Sequence, residues 1–203
     1  MFACILLSVA LVQHASIGSG LSDGLALVYQ SAGVAQAPWV YDSVRVVERE
    51  GFERCLRIAR RNQPVRETCV RDNTLFERTD TGQYRAARPI GPGMRLEVIT
   101  ASGQVMVYET GSSASRSIAG AVDVWFLPTT ITTRGKDGVP VRRLREEYAP
   151  ALLTALRGEF EEPDGEGGWR KVREFSLSEI RPLREDRSPS VANPGGATPR
   201  APR

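Results

Sequence analysis

The sequence predicts an all-β protein: an antiparallel up-and-down meander that closes wholly or partly into a barrel, with a two-sheet β-sandwich as the alternative. Three observations carry this. Residues 94–180 read as one short strand after another. Gly-bearing turns, Ala101-Ser102-Gly103, Lys136-Asp137-Gly138 and Pro163-Asp164-Gly165, punctuate the joints. Two cysteines, Cys55 and Cys69, lie symmetrically about Asn62, where an antiparallel hairpin sets them side by side.

The β domain is expected over residues 38–181. Residues 39–47, rich in valine, form a first strand, and Gly51 follows at a turn. Residues 53–60 and 65–72 pair around Arg61-Asn62-Gln63. That pairing brings Cys55 and Cys69 within reach of a disulfide. Residues 74–78 and 83–87 form the next hairpin across Asp80-Thr81-Gly82, which sets Glu77 opposite Arg85. Two prolines and two glycines in residues 86–93 mark a hinge between the halves of the sheet. Beyond it, 94–100 pairs with 104–110, with Arg95 opposite Glu109. Residues 111–117 read as a flexible connection. Residues 118–127 are apolar on both faces and suit a central strand, which Pro128 ends or bends. Residues 129–134 and 139–148 form a further hairpin. Residues 149–156 fit either a short helical turn or the start of a strand. Residues 162–168 are an exposed turn, and 169–180 is the closing strand, with a bulge or with both faces buried. In strand count and size this is a lipocalin-like architecture. The Gly-x spacing that marks lipocalins does not precede Pro38-Trp39, so the likeness stops at architecture.

The ends read differently. Residues 2–12 are an apolar run of signal-peptide length followed by small residues, so residues 1–20 are expected to be a removable leader. Residues 21–37 lack clear periodicity and read as a linker. Residues 182–203, rich in Pro, Arg and Ser, read as a disordered tail. Export to a periplasmic or extracellular compartment follows, and with it an oxidising setting for the disulfide. No integral membrane span is expected.

Composition narrows function mainly by exclusion. The chain has 203 residues, 41% of them hydrophobic, and a net charge of +3. Its basic side chains are nearly all arginine, Lys136 and Lys171 being the only lysines. They are interspersed with acids, so nucleic acid is not an expected partner. The single histidine, His14, falls in the leader, so the mature protein lacks the residue of Ser-His-Asp and Cys-His catalysis and of His-bearing zinc sites. Neither a phosphate loop nor a Cys-x-x-Cys pair nor a serine nucleophile motif is present. No catalytic residue, metal ligand or cofactor is therefore expected. The leading expectation is a non-catalytic exported barrel binding an apolar, amphipathic or anionic small molecule. Arg143 and Arg145 are the candidate ligand-binding residues, if that face points into a cavity. The alternatives are a structural or interaction module touching an envelope protein, and a histidine-free isomerase or cyclase built on Tyr, Arg and a carboxylate.

Overall fold

The computed structural model describes residues 17–119 and 121–182. Its strands are β1 (Leu25–Ser31), β2 (Val34–Ala35), β3 (Trp39–Val47), β4 (Arg54–Arg60), β5 (Arg66–Arg71), β6 (Thr74–Arg78) and β7 (Tyr84–Pro89). There follow β8 (Arg95–Ile99), β9 (Val105–Thr110), β10 (Ala114–Ile118), β11 (Ala121–Arg134), β12 (Pro140–Ala149), β13 (Thr154–Pro163) and β14 (Trp169–Pro182). A single 3-10 turn, Pro150–Leu152, joins β12 to β13.

Backbone ladders run in the order β7–β6–β5–β4–β3–β1–β14–β13–β12–β11–β9–β8, with β2 beside β1 and β10 beside β11. Nearly every joint is a hairpin between consecutive strands. The exceptions are β9, which pairs with β11 past β10, and β1, which lies between β14 and β3 and so ties the N-terminal to the C-terminal end of the domain. The sheet curls until its two outer strands, β7 and β8, come together, so it is nearly closed into a barrel. The Pro/Gly-rich stretch 86–93 falls at this seam.

The interior is filled by a cluster centred on Leu27, Tyr41, Leu56 and Leu156. Side chains alone do not fill it. The hairpin β10–β11 adds Val124 and Phe126 to the cluster, and Ala119 C=O accepts a hydrogen bond from Ile180 N–H on β14 at 2.8 Å. Residues 17–21 add a second insert. Gly18 and Gly20 N–H donate to Pro150 and Ala151 C=O at 3.0 and 3.1 Å, and Ile17 packs with Val70, Leu75 and Leu153. Gly18 has φ +63° and lies against Leu56, so a Cβ there would run into the Leu56 side chain.

The structure corrects several expectations. Residues 21–37 are not a linker: they hold β1 and β2. Leu25, Ala26 and Leu27 are all buried, so β1 shows no polar alternation to read. Residues 111–117 include β10, whose small polar residues hide a strand. Pro128 does not end its strand. On one edge β11 pairs with β10 up to Phe126 and with β9 from Thr129, and Pro128 sits between these ladders. Its C=O accepts Gly111 N–H at 2.7 Å, and on that edge no N–H is required of it. Residues 149–156 combine both alternatives, a 3-10 turn and then a strand. Most of the expected leader, residues 1–16, and the tail from residue 183 lie outside the described residues.

The hairpin register is as expected. Cys55 pairs directly with Cys69 across β4 and β5 and the two are joined in a disulfide, 1% and 0% exposed. Glu77 faces Arg85, and Arg95 faces Glu109 with an ion pair of 3.1 Å. The bond closes a short loop, for which chain entropy gives about 3 kcal/mol. A double Cys55→Ser, Cys69→Ser variant is expected to melt at lower temperature and keep its β-sheet circular dichroism. Thiol titration of the unreduced, unfolded wild type should find neither cysteine free.

Candidate functional site

The site begins with strand parity. On β4, Leu56, Ile58 and Arg60 share the inward face. Across the ladder Ile58 faces Arg66, and Leu56 faces Thr68, which faces Glu77. Between β6 and β7 a bulge at Leu75/Phe76 shifts the register, so that Leu75 faces Arg88. The consequence is a row of charged side chains on a face that is otherwise core. They surround a cavity of about 120 Å³. Arg60, Arg66, Arg88, Glu77 and Thr68 supply its polar wall, Tyr41 and Tyr148 its aromatic wall, and Ile58, Leu75 and Leu153 its apolar wall.

Arg88 is the most constrained member. Its side chain is 15% exposed and is bonded to Glu146, 6% exposed, on β12. Its guanidinium lies 3.3 Å from the Tyr148 ring centroid and 5.8 Å from that of Tyr108. Its Nε is buried without a hydrogen-bond partner among the described residues. Arg60 lies over Trp39 and Tyr41, at 5.3 and 5.9 Å from the ring centroids. Among the described residues neither Arg60 nor Arg66 forms an ion pair, and neither does Glu77. Burial pushes the Tyr41 and Tyr148 phenols up, so both stay protonated near neutral pH. Tyr41 Oη donates to Leu152 C=O at 3.2 Å.

Arg143 and Arg145 do not face this cavity. The parity that turns Leu144, Glu146 and Tyr148 inward turns both arginines outward. They share one anion, the Glu161 carboxylate on β13, at 2.5 Å each. Arg143 also lies 4.4 Å from the Trp169 ring centroid. Arg145 borders a wide outer cleft of about 510 Å³, but Glu109, Glu147 and Glu159 border it too, so the cleft does not gather positive charge. A second outer cluster links Glu67 to Arg49 at 2.7 Å and to Tyr84, beside the Phe52–Phe76 pair that overlies the disulfide strands.

Sequence reading missed Arg60, Arg66 and Arg88. Arg60 and Arg66 carried a signal: in the register centred on Asn62 they share the face of Leu56 and Ile58. Arg88 carried none, because the bulge breaks the parity count. Among the described residues no three His, Cys, Asp or Glu side chains are grouped to hold a metal ion. No helix among them is long and apolar enough to cross a membrane. No family model matches this chain, and neither does any curated protein or solved structure it was compared with.

Two predictions follow from these ion pairs. Removing one partner of a buried pair strands the other charge, at a cost of about 3–5 kcal/mol. Arg88→Met or Glu146→Leu alone should therefore lower the melting temperature strongly, and the double variant should recover much of the loss. The second concerns pH. Burial works against the Glu161 carboxylate, but the hydrogen bonds and charges of Arg143 and Arg145 outweigh it and hold Glu161 below the ordinary value of 4.5. A depressed folded-state pKa adds stability above the unfolded value and loses it as pH falls through the folded one. Chemical denaturation between neutral pH and pH 2 should show a flatter acid limb in Glu161→Gln than in the wild type.

Proposed function

We propose that this chain is an exported, non-catalytic binding barrel whose ligand sits in the arginine-lined chamber and is anionic. One observation carries the reading: Arg60 and Arg66 line the chamber without an ion pair among the described residues, and with Glu77 and the Arg88–Glu146 pair counted the lining keeps a surplus of one positive charge. Arg66 is exposed at the mouth and Arg60 is half-buried; a half-buried charge without a partner is costly, and an anion bound from solution would supply one. The chamber is smaller than the roughly 300–1,000 Å³ typical of sites for drug-sized ligands. It therefore favours a small anion over the larger apolar molecule that an open barrel would take.

Outside the chamber the carboxylates are held as anions. A histidine-free acid–base enzyme calls for a carboxylate shifted upward. The carboxylates with resolved shifts all go down. Donors hold them there: Val44 N–H for Asp23, Arg49 for Glu67, Glu166 N–H for Asp164 and Lys171 for Glu174, with Glu161 held as described above.

Export sets a boundary condition. A leader ending at residue 20 would remove Ile17 and Gly18, which pack in the interior. If the leader is cleaved, the cut precedes Ile17. N-terminal sequencing of protein from its native host should find Ile17 retained, and a start at Leu21 or later would contradict this.

Native mass spectrometry of the folded chain tests the binding reading. A small anion should co-purify or be taken up, and Arg60→Gln with Arg66→Gln should abolish its retention. A chain that neither carries nor takes up any anion, with a melting temperature insensitive to every anion added, would overturn the reading.

A further inference from the structure

We infer that the chamber is built for the carboxylate of a short-chain monocarboxylic acid, with Arg60 and Arg66 holding the carboxylate and Ile58, Leu75 and Leu153 holding the alkyl part. This rests on the chamber being the ligand site, as proposed above.

Three features select the class. The first is size. A dry cavity of roughly 150 Å³ takes a benzene molecule, so about 120 Å³ suits a ligand slightly smaller, such as propionate or butyrate. The second is charge. Glu146 already neutralises Arg88. Arg60 and Arg66 then face Glu77, which leaves a single positive charge for a ligand to meet. A monoanion balances it, whereas a phosphate dianion would leave a negative charge beside Glu77. The third is shape. Guanidinium groups present parallel N–H donors that match the two oxygens of a planar carboxylate. Arg66 faces Ile58, and Arg60 lies two positions along the same face of β4, so both flank one apolar side chain. The buried, unpartnered Nε of Arg88 adds a donor without a role in the described fold.

The experiment is isothermal titration of the full chain with sodium butyrate, butyramide and inorganic phosphate at matched ionic strength. Butyrate should bind at least tenfold more tightly than butyramide or phosphate. A hydrogen bond to a charged group contributes about 1.5–3 kcal/mol, so Arg60→Gln and Arg66→Gln should each weaken butyrate about tenfold or more. Arg57→Gln, on the outward face of β4, should leave it unchanged. Arg60→Lys and Arg66→Lys keep the charge and lose the fork, so intermediate affinity in folded protein shows that the loss in the Gln variants is not misfolding. Preference for phosphate would overturn the carboxylate class and leave the chamber standing as an anion site. Butyrate binding equally to wild type and both Gln variants would overturn the site. If no probe binds but another anion co-purifies and is lost in the Gln variants, the class falls and the binding reading survives. If nothing binds and nothing co-purifies, both fall.

Discussion

Arg88 closes what the backbone leaves open. Each neighbouring pair of strands around the barrel shares a hydrogen-bonded ladder until the seam between β7 and β8. Arg88 leaves β7 and reaches Glu146 on β12, passing the rings of Tyr148 on β12 and Tyr108 on β9. A guanidinium in so dry a place is tolerable because a carboxylate neutralises it and aromatic faces replace part of its hydration. The pair therefore spans the seam from the inside. Its position depends on one irregularity, the bulge at Leu75/Phe76, which brings Arg88 opposite inward-facing Leu75.

The same geometry explains why the interior needs inserts. A barrel of about eight strands has a lumen that its own side chains just fill, and more strands enclose more space. Twelve strands form the path here. The surplus is taken up by segments that run inside the wall or across its end: residues 17–21, the 3-10 turn, and the β10–β11 hairpin. What remains is the chamber at the Arg60 end. Its small volume follows from the inserts, and the inserts follow from the strand number. Gly158 shows how closely the wall is filled. It lies between Glu146 and Phe175 in register, and a Cβ there would strike the Phe175 ring.

Much of the meander was legible because runs of β-forming residues are separated by turns with Gly, Asp and Asn. Residues 39–47 and 74–78 coincide with β3 and β6, the first legible from its valines and the second from the turn Asp80-Thr81-Gly82. The disulfide was legible because two-fold symmetry about a turn translates directly into register. β1 was hidden by burial on both sides, and β10 by small polar residues that carry no hydrophobic period. The candidate site was harder to read. Arginine is so common in this chain that its presence marks nothing; only its parity within a strand does. Parity was available for Arg60 and Arg66, but it fails at a bulge, and Arg88 lies past one.

Arg143 and Arg145 show what distinguishes a stapled arginine from one left without an ion pair among the described residues. Arg143, Arg145, Arg60 and Arg66 all sit on β strands, and Arg143 and Arg60 each lie beside an aromatic ring. The outer pair has Glu161 across the ladder, and its anion is thereby already present in the fold. Arg60 has Tyr41 across one ladder, and Arg66 has Ile58. Neither neighbour can neutralise a guanidinium. For these four the cross-strand neighbour separates the two outcomes: an acid there makes a staple, and a phenol or an alkyl group leaves the guanidinium without an ion pair among the described residues. Arg88 departs from this pattern: the alkyl group of Leu75 lies across its ladder, and the carboxylate that neutralises it, Glu146, comes from a distant strand and makes the pair the bolt of the seam.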